Sequence, residues 1–267
     1  MSDLIFKSAK QFNEDYPQLR DNYKLLVEGS DDVDAFDIFT EKSNVSGWIV
    51  ISAGSKSNVL KGMKKLSNCI GVVDRDDWSD IEVSQSVSEN PNLFVLPRFC
   101  IESYCIVPSE ISSIFEGKLT LCELESEVNL RLEKWLRHGA LWHVFNPMWR
   151  GLRAQGFNKG LLAHNAILTD EQIRQKIIQW RSYFDVEQLI EQYQDHFNES
   201  QSLALNEQLI SRVHGKFVFD QVITDIFNKN VASKNSKVLQ IDILKRLDIP
   251  ADLQPLWDKM QQISHSE

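Results

Sequence analysis

Two short segments carry carboxylates at spacings that could do chemistry. LLVEGSDDVDAF, residues 25 to 36, places Glu28, Asp31, Asp32 and Asp34 where an apolar run gives way to a helical pattern. VVDRDDW, residues 72 to 78, places Asp74, Asp76 and Asp77 at the end of a second apolar run. Like charges this close repel, and a helix start offsets only part of that repulsion. Water or a cation must absorb the rest. Carboxylate oxygens are hard ligands of the kind Mg²⁺ or Mn²⁺ prefers, together with water and phosphate oxygens. Either cluster alone reads equally well as a helix cap or a solvated loop. Their pairing is what points to a site.

The elements around them must bring the two clusters together. Residues 24–27, 48–52, 69–73 and 93–96 read as strands, with helices over 31–42 and about 58–66 between them, the alternation expected of an α/β unit with a largely parallel sheet. Ligands of such sheets bind beyond the C-terminal strand ends. Glu28 and Asp32 follow the first strand and Asp74 and Asp76 the third, so neighbouring strands would set the clusters side by side. Gly29 permits a sharp turn, and Asp32 then falls in the first helical turn, four residues from Glu28. In Asp74-Arg75-Asp76, the alternation of an extended chain would send both carboxylates to one side. The polar stretch 77–92 reads as a loop. Beyond Pro108 helical periodicity takes over, at roughly 119–144, 170–184, 186–197, 203–213, 216–228 and a last pair ending near 262. A boundary is therefore expected near residue 110, separating a catalytic domain, 1–110, from a helical domain, 111–267, for substrate binding, dimerisation or partner docking.

With 267 residues, 42% of them hydrophobic, the chain can bury a full core. No run of eighteen apolar residues occurs, and the N-terminal MSDLIFKSAK lacks the apolar centre of a signal peptide, so the expectation is a cytoplasmic protein without a membrane span. The four cysteines have no CxxC spacing and read as reduced thiols. The histidines show neither HExxH nor a repeated ligand spacing, and no GxxxxGK[ST] phosphate loop is present. A net charge of −9 disfavours indiscriminate adhesion to nucleic acid, but the charge is divided unevenly. Between Arg131 and Lys159 six cations face the single acid Glu133, interleaved with Trp135, Trp142, Phe145, Trp149 and Phe157. Cations with exposed rings suit a nucleic-acid surface. The tryptophans recur every seven residues, however, which is core-facing helix spacing, so Arg150 and Arg153 are the substrate-binding candidates and the rings are assigned to the core.

VEGSDD at 27–32 followed by DRD at 74–76 resembles the TOPRIM domain shared by topoisomerases, primases and OLD-like nucleases, over about residues 20 to 110. With LPRFCIESY after VVDRDDW, the chain looks most like the TOPRIM effectors of the PARIS anti-phage systems. The resemblance implies a metal-dependent nuclease that arrests the infected host by cutting transfer RNA, working with a separate ABC-type ATPase sensor and active as a homodimer. It implies Asp32, Asp74 and Asp76 as ligands of Mg²⁺ or Mn²⁺ and Glu28 as metal ligand or general base. Glu102 in IESY reads either as a further metal ligand or as a salt-bridge partner of Arg98. Lys56 reads as a phosphate contact at the rim or as ordinary loop polarity. Lys216 in HGKFVF resembles the late lysine with which OLD-like nucleases steady transition-state charge, or is a plain surface lysine. An OLD-type DNA nuclease and a non-catalytic metal-binding subunit of an ATPase complex are the rival readings.

Overall fold

The computed structural model describes residues 22–43, 45–157 and 169–265. Strands and helices alternate through β1 (Tyr23–Val27), α1 (Ser30–Ser43), β2 (Trp48–Ser52), α2 (Lys56–Met63), β3 (Cys69–Val73), α3 (Asp80–Glu89) and β4 (Leu93–Val95). All pairings are parallel and the strand order is β2-β1-β3-β4. The expected α/β class is therefore present: a four-stranded parallel sheet flanked by helices, followed by a helical C-terminal region.

The strands are apolar on both faces because both faces are covered. Leu25, Val27, Ile70 and Val72 point into one hydrophobic cluster, whereas Leu26, Ile51, Cys69 and Val73 point into another with Val59 of α2. This is the period-two alternation of a strand. At Gly71, a Cβ would lie 2.2 Å from Met63 Sδ and 2.7 Å from Val59 Cγ1, so a side chain there would push α2 off the sheet.

The stretch 77–92 is not the loop its composition predicts. Ser79 and Glu82 form a capping box that starts α3, a helix with no fully buried residue. Polar composition hid it because its stability starts at the cap rather than at an apolar face. After β4 comes a 3₁₀ turn, Ile101–Cys105, and then α4 (Leu121–Ala154), capped by the box of Thr120 and Glu123. Sequence periodicity ends this helix near residue 144, but it runs on through Pro147. Proline removes one helical hydrogen bond. The far end is anchored by Asn146, whose Nδ2 donates to Asp77 Oδ1 (3.0 Å), and by Arg150, paired with Asp77 and Glu82.

The remaining helices are α5 (Asp170–Arg181), α6 (Val186–Ser202) and α7 (Leu205–Ser211). Next, α8 begins at Gly215–Val218, widens through a π-turn at Phe219–Ile223 and continues as Thr224–Asn230. The last two are α9 (Ser236–Arg246) and α10 (Gln254–Ser264). One hydrophobic cluster joins Leu25 and Phe36 to Leu239, Trp257 and Met260, so the helical region covers one face of the sheet. Where β4 leaves the sheet, the buried Arg98 guanidinium forks onto both oxygens of Glu110 (2.7 Å each) and reaches Asp252 (3.0 Å) just before α10.

Candidate functional site

The strand order reverses direction between β1 and β3: the chain goes outward to β2, then crosses back over β1. At such a switch point the loops diverge and leave a crevice beyond the C-terminal strand ends. Glu28 and Asp74 are the first residues past β1 and β3, and the Asp74 N–H donates to Glu28 Oε1 at 2.9 Å. A cavity of about 510 Å³ opens there, with Glu28, Asp31, Asp32, Asp74, Asp76 and Glu102 in its wall. Lys216, Cys100, Trp142 and His214 complete the lining.

Each acid reaches the cavity for a local reason. Asp32 sits in the first turn of α1 and turns back so that the Gly29 N–H donates to its Oδ2 (2.7 Å). This makes Asp32, rather than Asp31 or Asp34, the carboxylate that caps the turn. Asp76 does not follow the extended alternation expected of Asp-Arg-Asp. Its φ is +51°, a left-handed conformation uncommon for a residue with a side chain. Its N–H donates to the Phe99 carbonyl (2.9 Å), which holds the turn in place. Arg75 points away to Asp80 and to the Trp78 carbonyl. Glu102 lies buried in the 3₁₀ turn, and Arg98 is taken by Glu110 and Asp252, so the expected Arg98–Glu102 pair is not formed.

Lys216 arrives from the far end of the chain. Its ammonium lies 3.8 Å from both Glu102 and Asp31, and Lys237 pairs with Asp31 (3.3 Å) and Asp34 (3.0 Å). The approach depends on Gly215, where a Cβ would meet Ser103 Oγ at 2.3 Å. Lys56 is also drawn inward. It donates to Asp76 Oδ2 (2.8 Å) and the Asp74 carbonyl (2.7 Å), and lies 4.0 Å from Glu28 and 4.4 Å above the Trp78 ring. It is a counter-ion of the acid cluster, and contact with a phosphate would require it to let go of Asp76.

The electrostatics are those of acids in excess. Burial pushes the Asp32 carboxyl up to about 7, helped by the charges of Glu102, Glu28 and Asp31 and opposed by the Gly29 N–H. Burial and the neighbouring Asp32, Glu28, Asp76 and Glu102 hold Asp74 well above the usual carboxylate range. Burial also raises Glu28, against the pull of Lys56. For Lys216, burial works against the ammonium, but Glu102 and Asp31 outweigh it and raise its pKa. The donor set is all hard oxygen and resists full ionisation without a cation, which fits a Mg²⁺-type ion in kind. Among the described residues, however, no three carboxylate, imidazole or thiolate groups stand close enough to hold an ion together. Backbone N–H groups and Lys56 occupy oxygens that an ion would need.

The basic segment divides. Arg150 Nη2 lies 2.8 Å from Asp77 Oδ2 and 3.1 Å from Glu82, so it ties α4 to the loop after β3 instead of facing a substrate. Arg153 is exposed beside the Trp149 ring, and Lys159 and His164 lie outside the described residues. The rings assigned to the core do not all go there: Trp135 is 9% exposed, Trp142 half-buried, Phe145 40% and Trp149 41% exposed. An ideal helix drifts about 20° per heptad, so a stripe at seven-residue spacing rotates out of the core. Cys100 and His214 were unsuspected from sequence, and Trp142, assigned to the core, also reaches the cavity; burial lowers the His214 imidazole to about 4 and keeps it neutral near pH 7. Their positions depend on tertiary contacts that no local pattern announces. His143 and His196 stack at 3.9 Å beside Arg212, a packing role.

Fold and site together define a class: a parallel α/β protein with a carboxylate-lined cavity at its topological switch point. Compared with known proteins, no family model matches the chain and no curated protein sequence matches it. Among the described residues, no helix is long and apolar enough to cross a membrane.

Proposed function

We propose that the chain is a metal-dependent nuclease of the TOPRIM, OLD-like kind, acting on RNA and most closely similar to the PARIS anti-phage effectors. The observation that carries this reading is the meeting of Glu28, Asp32, Asp74, Asp76 and Glu102 with the distant Lys216 in one cavity. In this reading Asp32, Asp74 and Asp76, with Glu102 beside them, would hold Mg²⁺ or Mn²⁺ once their oxygens drew together around it. When bound, the ion neutralises phosphate oxygens and lowers the pKa of water. Glu28, its pKa raised by burial, takes the proton from the attacking water. Lys216 sets a positive charge at the cavity mouth, where negative charge grows on the phosphate. Transfer RNA as substrate, host arrest as outcome, an ABC-type ATPase as the restraining partner and a homodimer as the active form belong to the same proposal and rest on the resemblance.

The test is cleavage by purified protein of end-labelled transfer RNA and DNA with Mg²⁺ or Mn²⁺. The expected result is RNA cutting that falls roughly 10²–10⁴-fold in a folded Glu28→Ala variant. Equal cutting by that variant removes Glu28 from the mechanism, and preferential DNA cutting assigns the OLD-type alternative. One second reading is a subunit docked on an ATPase in which the acids hold a metal only structurally, with the Lys56–Asp76 ion pair showing that the cluster can also carry a purely structural counter-ion. Metal-dependent stabilisation without any cleavage would select it.

A further inference from the structure

Three hollows share walls along one face of α4. The outermost, about 800 Å³, has Arg131, Lys134 and Arg137 in its lining against the single acid Glu133. The middle one, about 570 Å³, is lined by Phe145, Met148 and Trp149. The innermost is the acidic cavity. His138 and Leu141 belong to both outer hollows, and Trp142 is common to the middle hollow and the acidic cavity. The surface thus runs from cationic, through ring-lined, to acidic.

We infer that this face of α4 is a trough for an unpaired RNA strand, with bases stacked on Trp142, Phe145 and Trp149, backbone phosphates beside Lys134 and its neighbouring arginines, and the phosphate to be cut at the acidic cavity. The role of the inner end rests on the nuclease reading above; the trough itself does not.

Four observations converge on that occupant. Phe145 and Trp149 hold large ring surfaces in solvent on a helix whose first tryptophan, Trp135, is buried. Stacking on such rings is the usual means of holding unpaired bases of any sequence. Secondly, Trp142 lines both the middle hollow and the acidic cavity, so a ring stands where the two meet. Thirdly, Lys134 lies 4.6 Å above the Trp135 ring with no carboxylate in ion-pair range among the described residues. Arg131 pairs with its helix neighbour Glu127 and lies 4.0 Å from Asp225, and Arg137 pairs with the exposed Glu133 and lies 4.3 Å from the Phe197 ring, surface contacts that leave both partly open to a phosphate. Finally, Lys134 and Trp149 are separated by roughly 22 Å of helix, about the length of six to seven stacked nucleotides, with Trp142 and Phe145 between them. A duplex would bring paired bases whose faces are already stacked on each other, and an apolar protein helix would leave the cationic end without a counter-charge.

The experiment measures fluorescence anisotropy of a labelled oligouridine about twelve nucleotides long, in EDTA so that binding is read without cleavage. Wild type should bind, and Phe145→Ala and Trp149→Ala, both at exposed positions, should each weaken binding about tenfold. Trp149→Phe should keep most of the affinity and Trp149→Leu should not. Lys134→Glu should reduce the salt dependence by about one phosphate contact. Unchanged affinity in the Phe145→Ala/Trp149→Ala double variant, equal binding of duplex RNA, or no binding by folded wild type overturns the trough. Equal affinity for DNA of the same length overturns the choice of RNA. Cleavage is scored separately with Mg²⁺. Ring-dependent binding without wild-type cleavage sinks the nuclease reading and keeps the trough, whereas Glu28-dependent cleavage indifferent to the rings sinks the trough alone.

Discussion

Two clusters of buried charge lie within a few residues of each other and differ in one respect. At Arg98, one guanidinium faces the carboxylates of Glu110 and Asp252, with both Glu110 oxygens in the guanidinium fork and the Tyr104 ring 4.1 Å from its centre. Four residues later, Glu102 enters a cavity where it meets Glu28, Asp32, Asp74 and Asp76, with Lys56 and Lys216 to balance them among the described residues. In the first cluster the partners are matched in geometry, and the segments it joins, residues 98 to 110 and the start of α10, are architectural. In the second, no carboxylate sits in a two-pronged cation fork, and burial and mutual repulsion push two carboxyls far up the pH scale. A matched buried charge fixes a fold; an unmatched one keeps electrostatic free energy available for a ligand.

That contrast can be broken from either side. The largest effect on stability is expected at the matched cluster. Arg98→Ala leaves two carboxylates without their cation and should cost about 3–5 kcal/mol, read as the midpoint of urea unfolding. A loss below about 1 kcal/mol would mean that solvent already screens the pair. Asp74→Asn at the unmatched cluster should do the opposite. It removes one of several mutually repelling acids, so the metal-free protein should be stabilised by about 1 kcal/mol, while cleavage should fall roughly 10²–10³-fold, about 3–4 kcal/mol in the barrier. A destabilised Asp74→Asn protein with intact activity would put Asp74 among the architectural acids.

How much of this was legible in the sequence depended on whether the cause was local. Strands β2 and β3 were readable to the residue because Trp48–Ser52 and Cys69–Val73 are short apolar runs bounded by polar turns. The acid pair was readable because strand ends are where parallel sheets bind ligands. α3 carried a local signal too, the Ser79–Glu82 box, but its packed face is reduced to the half-buried Val83 and Val87, too little to be visible in hydropathy. Asp31 could not be placed from sequence, because its partners Lys216 and Lys237 lie about 200 residues away in the chain. The same distance effect misassigned Arg150, whose acids sit on the loop after β3 and on α3. For the tryptophans, a correct observation of seven-residue spacing led to a wrong environment at Phe145 and Trp149, because spacing gives a stripe and only packing says where the stripe leaves the core.

The smallest expected effect discriminates best between a metal site and an acid cluster stabilised by its own lysines. For Asp32, the folded value of about 7 lies above the unfolded value near 3.8. Between those values the folded chain retains a proton that the unfolded chain has lost. This contribution to stability is therefore full below the unfolded value and disappears as pH rises through about 7. A divalent ion needs the ionised carboxylates, so its binding must release protons and strengthen over the same interval. In thermal melts, the metal-free protein should lose stability from pH 6 to pH 8 through this site, and ~10 mM Mg²⁺ should restore roughly 1.5 kcal/mol at pH 8, about 3–6 °C, and much less at pH 6. Asp32→Asn should flatten both responses. If Mg²⁺ instead raises the midpoint equally at both pH values and in Asp32→Asn, the ion acts elsewhere, and the cluster is then held by its own lysines.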